Sequence, residues 1–222
     1  MPENQFSDPV GRDDALSVEH QGDISIIRIQ DPQLLQYLKG LEMLTKAIDS
    51  VRLQQSKAVV IHNAPSAYAP ENLDAFWNQV DAETSNRADH HLVKRMRYRL
   101  AELFNLFWEL NSVEIVTVRG PVDLNLFGLV LTADFSICSD DFELRNRMLD
   151  QRSSPSSVAV WFLTQYIGLA RTKRLIMEEK SLSAQEALDL GLINRVTTEE
   201  NLDAVALAEA QRLAREEQES RQ

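Results

Sequence analysis

The stretch His62-Asn-Ala-Pro-Ser-Ala-Tyr-Ala-Pro-Glu-Asn-Leu-Asp-Ala-Phe76 follows the apolar run Lys57-Ala-Val-Val-Ile61. An apolar strand that ends in a Pro/Ser/Ala-rich corner and then opens a helix presents backbone N–H groups to a ligand, and such groups can hold a developing negative charge. Pro70, near the apex, has no N–H to give. Two other groupings have the residue types for chemistry. His90-His91, with Asp89, could suggest acid/base work, but adjacent side chains on a helix point in different directions, so they read as a surface pair. Lys94-Arg95-Met96-Arg97-Tyr98-Arg99 is the one basic cluster. Met96 belongs to an apolar stripe, so the cluster reads as a solvated helix face, with RNA binding through it as an alternative.

These residues must be positioned by a core, and 222 residues with 44% hydrophobic content suffice for a single domain. The net charge of −11 repels nucleic acid and anionic membrane over most of the surface. The lone Cys138 permits no internal disulfide, and Cys/His metal spacing is absent; the expectation is a reducing compartment, no metal and no bound cofactor. Residues 1–14 are polar and read as a flexible N-terminus without a signal-peptide core, and no segment approaches 18 apolar residues, so a cytoplasmic protein with no membrane partner is expected.

Leu16-Ser-Val-Glu-His and Ile24-Ser-Ile-Ile-Arg-Ile, separated by Gln21-Gly22-Asp23, predict a hairpin. Leu34, Leu38, Leu41, Leu44, Ile48 and Val51 predict a helix with one apolar face, and the run from Lys57 to Ile61 a buried strand. A second helix is expected from about Arg87 to Asn111, then strands over residues 114–119 and 133–138 with a helix from Leu124 between them. Ser183 and Glu186 form a capping-box pattern ahead of Gly191, and a strand over residues 192–196 follows. Thr197-Thr-Glu-Glu200 offers a second capping box for a terminal helix carrying Leu202, Val205, Leu207, Ala208 and Leu213. This alternation is α/β.

Leu182-Ser-Ala-Gln-Glu-Ala-Leu-Asp-Leu-Gly-Leu-Ile-Asn-Arg-Val196, preceded by Ile167-Gly-Leu-Ala-Arg-Thr-Lys-Arg-Leu175, resembles the crotonase family, the enoyl-CoA hydratase/isomerase superfamily. Val116-Thr-Val-Arg-Gly-Pro121, Thr132-Ala-Asp-Phe-Ser-Ile-Cys-Ser139 and the stretch from Lys57 to Phe76 resemble further family segments in the same order. The resemblance implies a crotonase-like ββα spiral over about 15–165 and a C-terminal helical trimerisation segment over about 166–222, in one domain of residues 15–222. It also implies a homotrimer or hexamer and an acyl-CoA or acyl-carrier thioester as substrate or ligand.

Carried over residue by residue, the resemblance gives the first oxyanion donor to Pro70, and a one-residue shift gives it to Ala69 or Glu71. The second donor falls to Asn125 in Gly120-Pro-Val-Asp-Leu-Asn-Leu-Phe-Gly128, where Leu124, Asn125 and Leu126 stand in the places of three glycines. Ala67, Leu124 and Gly128 line the implied substrate position. The family's catalytic glutamates fall on Gly128 and near residues 146–148, where no carboxylate stands, so classical hydration lacks its acid and base. Asp123 and Glu143 remain as candidate catalytic carboxylates, and Asp134 reads as structural. Three readings follow: a diverged thioester enzyme, an inactive oligomeric scaffold with its pocket plugged by Leu124, Leu126 and Phe127, and the RNA-binding alternative.

Overall fold

Leu16–Gln21 (β1) and Ile24–Ile29 (β2) form the expected antiparallel hairpin, turning at Gly22 with φ +61°, a conformation open to a residue without Cβ. The computed structural model describes residues 14–36, 38–65, 67–69, 71, 90–146, 157–178 and 181–220. Pro70, Asp89 and Arg147 lie outside them, and Asn125 and residues 90–97 are described by backbone alone.

A one-turn 3-10 segment, Leu34–Gln36, leads into helix α1 (Leu38–Gln54), and strand β3 (Ala58–His62) follows. Helix α2 spans His90–Trp108, β4 Val113–Val118, β5 Pro121–Asp123 and α3 Leu124–Val130. Then come β6 (Phe135–Ser139), β7 (Glu143–Arg145), α4 (Ser157–Met177, interrupted at Gly168), β8 (Leu182–Ser183), α5 (Ala184–Asp189), β9 (Arg195–Thr197) and α6 (Leu202–Ser220). The larger sheet runs β1-β2-β3-β4-β6-β9, parallel from β2 onward, and a smaller one runs β5-β7-β8.

The parallel strands are covered on both faces, as such sheets require. Ile27, Val59, Ile61, Val116 and Val118 pack in the main core with Leu41, Leu44 and Leu103 of the first two helices. Ile26, Ala58, Val60, Ile115 and Ile137 face the other way, onto α6. The seam of α6 is Leu202, Ala206, Ala210 and Ala214, four residues apart and small enough for a close helix–sheet approach. Ala208, expected in that stripe, is exposed, and Val205, Leu207 and Leu213 are half-buried.

Ser183 and Glu186 form the capping box: the Ser183 Oγ accepts from the Glu186 N–H at 3.3 Å, and the Ser183 N–H donates to the Glu186 carboxylate at 3.0 Å. Gly191, at φ +71°, completes the helix end, its N–H donating to Leu188 O and that of Leu192 to Ala187 O. The second capping box does not form. Thr197 is taken into β9, and the Thr198 hydroxyl accepts from the Asn201 side chain at 2.9 Å instead of capping a 3-10 turn, Glu199–Asn201. The strand expected over residues 192–196 starts only at Arg195, because Asn194 bridges to β6 through its side chain (2.7 Å to the Ser136 N–H) and its own N–H.

Candidate functional site

The corner after β3 is held against the start of α3. The Asp123 N–H donates to Tyr68 O at 2.7 Å, and the Ala67 N–H turns back to Ala64 O at 3.1 Å. Ala67, Tyr68 and Ala69 are all buried. With Ala67 and Asp123 committed, the Ala69 N–H is left with no acceptor among the described residues. A buried backbone donor of this kind needs a partner. Asn125 follows two residues after Asp123, in the first turn of α3, where an N–H has no acceptor inside its own helix.

The small sheet gathers the two candidate carboxylates. Its register sets Asp123 beside Arg145 and Pro121 beside Glu143, so Asp123, Glu143 and Arg145 share one face while the buried Val122, Leu144 and Leu182 turn to the core. Their environments differ. Asp123 is 1% exposed. The Glu143 carboxylate is 39% exposed and accepts from Arg145 Nε at 2.7 Å, and the same guanidinium reaches Glu71 at 3.2 Å.

Leu124 and Phe127 are fully buried and Leu126 nearly so, with the Phe127 and Phe142 rings 6.0 Å apart. Gly128 has a packing role: a Cβ there would lie 3.1 Å from the Ala159 backbone nitrogen and 3.3 Å from its Cα. Gly128→Ala is expected to destabilise by about 1–3 kcal/mol, because the α3–α4 contact must open; urea midpoints for the two proteins measure it, and equal midpoints would refute the close fit. Asn146, near the implied second glutamate, spends its amide on Leu175 O (2.8 Å) and Ile176 O (3.0 Å), closing the end of α4.

Beneath Tyr68 lies an apolar cavity walled by Ile61, Leu103, Phe107, Val116 and Leu129, with free space of about 20 Å³, room for little more than one water. Glu114 also lines it. This residue passes in the sequence for a member of an apolar strand, yet it sits on the same side of β4 as Val116 and Val118 and is 4% exposed. Burial, with Asp134 nearby, pushes its carboxyl up to about 9. Asp134 is structural as expected, accepting the Glu114 N–H at 2.9 Å.

Sequence reasoning also missed a charged cluster at the carboxyl ends of β2–β4. Asp203, in the first turn of α6, takes Arg28 (3.2 Å), buried His62 Nδ1 (3.0 Å) and Arg119. Arg119 also donates to Asn63 O at 2.9 Å. The His62 hydrogen bond, then the charges of His62 and Arg119, hold the Asp203 carboxyl far below the usual carboxylate range. A depressed pKa stabilises above the unfolded value of about 3.9 and is lost as pH falls below it. Asp203→Asn is therefore expected to cost about 1 kcal/mol at pH 7, discounted for a half-exposed group, and progressively less below pH 4. Denaturation at pH 7 and pH 3 tests this; an equal cost at both would refute it. In the basic cluster, Arg99 is paired with Glu102 (2.7 Å) and Glu42 (3.3 Å), as a solvated face would be.

The sequence pattern of the enoyl-CoA hydratase/isomerase family matches residues 19–222. Among relatives, the trans-2-decenoyl-[acyl-carrier-protein] isomerase of Streptococcus mutans is 25% identical over 74% of this chain, which spans 61% of that protein. A 4-chlorobenzoyl coenzyme A dehalogenase of Arthrobacter is 20% identical over 84% of this chain and 67% of its own. The enoyl-CoA hydratase structure from Bacillus halodurans superposes with a TM-score of 0.77 at 20% identity, covering 90% of this chain and 80% of that one. An enoyl-CoA hydratase/isomerase from Cupriavidus metallidurans gives 0.72 at 23%, covering 86% and 71%.

Proposed function

The chain belongs to the enoyl-CoA hydratase/isomerase family and has its crotonase fold, and on that premise we propose that it binds an acyl thioester at the corner of Ala67–Ala69 and moves a proton with Asp123, without hydrating the double bond. The observation that carries this is the Ala69 N–H, without an acceptor among the described residues, beside a buried carboxylate-bearing strand end. The Ala69 N–H would take the thioester oxygen as it gains charge, in the role that the family resemblance gave to Pro70 or, with a one-residue shift, to Ala69 or Glu71. Asp123 would take a proton from the carbon γ to the thioester and return it at the α carbon, shifting the double bond with no net gain or loss of atoms. One carboxylate serves both halves of such a shift, whereas hydration needs a separate acid and base. Glu143 is occupied by Arg145, which argues against it as the second.

The names of the relatives, one a carrier-protein isomerase and one acting on a coenzyme A thioester, support a thioester from either source. The exposed side chains of Trp108, Trp161, Tyr166 and Leu169, with Trp108 and Trp161 rings 6.4 Å apart, support self-assembly, and the trimer or hexamer is taken from the family resemblance. Among the described residues no helix is long and apolar enough to cross a membrane, and the buried free Cys138 accords with the cytosol.

The test is incubation with 2-enoyl and 3-enoyl thioesters of CoA and of a carrier protein in D₂O, read by mass spectrometry, with native mass spectrometry giving subunit count and ligand uptake. Deuterium at the α or γ carbon without a hydrated product is expected. Hydrated product would overturn the reading. A second reading, an inactive scaffold, is favoured by the small free space under Tyr68 and the full burial of Leu124 and Phe127; an oligomer that takes up no thioester would select it.

A further inference from the structure

The cavity under Tyr68 has mostly apolar walls and, among the described residues, one polar wall group that no hydrogen bond engages. Among the described residues the Glu114 carboxyl makes no hydrogen bond, although the residue is 4% exposed and lines the space. Thr132, another polar wall residue, has its hydroxyl committed to Leu129 O at 2.7 Å. Tyr68 belongs both to this wall and to the corner, since its carbonyl holds Asp123. Tyr68 therefore borders both the cavity and the site proposed above.

We propose that this cavity receives the far end of the acyl chain, and that Glu114 selects chains ending in a neutral hydrogen-bonding group, a hydroxyl or a ketone, over plain hydrocarbon. The inference rests on the thioester reading. Its physical basis is that a buried polar group left unpaired penalises the ligand that fails to pair it, so a site built to hydrogen-bond a hydroxyl rejects the analogue lacking one. A methyl end would fill the space and leave the Glu114 carboxyl unpaired. A hydroxyl or keto oxygen accepts from the protonated carboxyl that burial maintains. The free space, about one water in size, fits such a tip.

The experiment measures binding of butanoyl-, hexanoyl- and octanoyl-CoA against their ω-hydroxy counterparts and 6-aminohexanoyl-CoA, by calorimetry, to the wild-type protein, Glu114→Gln and Glu114→Leu. Expected is a preference of about tenfold or more for the ω-hydroxy chain at one length, kept by the isosteric glutamine and lost or reversed in leucine. Equal binding of hydroxy and plain chains, a preference unchanged in Glu114→Leu, or tightest binding of the cationic amine would each overturn the inference while leaving the thioester site standing. No binding of any chain would overturn the thioester reading and this inference with it.

Discussion

Asparagine in place of Asp123 is expected to slow deuterium exchange into a bound enoyl thioester by about 10²–10⁴-fold, the usual contribution of a positioned proton-transfer group, while thioester affinity changes by less than about threefold. Asparagine keeps the shape and polarity of the side chain and its backbone bond to Tyr68 O, so the corner stays in place. The substitution removes the capacity to accept and return a proton, and a loss confined to turnover is the signature of an interaction made in the transition state. Glu143→Gln is the control. Its carboxylate, 39% exposed, is already an ion pair with Arg145, so exchange should stay within about threefold of wild type. If Glu143→Gln proved as damaging as Asp123→Asn, the two carboxylates would act as a pair and the single-base reading would fail.

Glu114→Gln is expected to stabilise the protein, increasingly so as pH rises. The sign follows from a folded-state pKa raised from 4.5 to about 9 by burial and by Asp134. Below the unfolded value the group is neutral in both states and costs nothing. Above it, unfolding releases a proton, and stability falls until the folded pKa is passed. At about 1.4 kcal/mol per pH unit, the wild type gives up about 3 kcal/mol by pH 7 and up to about 6 by pH 9, against less than about 1 at pH 5. Glutamine has the same shape and no proton to lose, so it escapes this slope. For a chain of this length the difference at pH 7 corresponds to about 6–12 °C in melting temperature. Thermal melts of both proteins from pH 5 to 9 measure it; parallel curves would mean that Glu114 ionises freely in the folded state and that the cavity is wetter than its walls suggest. The trend is opposite to that of Asp203, whose depressed pKa makes its contribution vanish in acid. A residue kept in the core at this cost is consistent with a site held for a ligand and not for stability.

The hairpin around Gly22, the Ser183–Glu186 capping box and the left-handed Gly191 were all readable because each is settled within a few residues, by a positive φ or by a side chain reaching its own backbone. The second box looked equally good and failed, since strand pairing claims Thr197 and Asn201 claims the Thr198 hydroxyl. The stripe on α6 was recognised as apolar, but which of its members reach the sheet depends on the docking angle, and the alanines at 206, 210 and 214 do so more than the larger residues between them.

The sequence by itself therefore determined the α/β order, the stops and starts that capping and turn chemistry settle locally, and the family, because these signals act over short spans of chain. Tertiary structure alone decided what the candidate residues can do. Asp123 and Glu143 are twenty residues apart in the chain, and the pairing of β5 with β7 puts them on one face, where Arg145 engages one and burial takes the other. Among the described residues the Ala69 N–H finds no acceptor, while the Asp123 N–H ties the corner to the start of the third helix through Tyr68 O. Gly128 is bound to its place by the Ala159 backbone, and Glu114 is driven toward neutrality by walls drawn from eight segments of chain. Desolvation and close approach are sums over everything packed around a group, and those neighbours are distant in sequence.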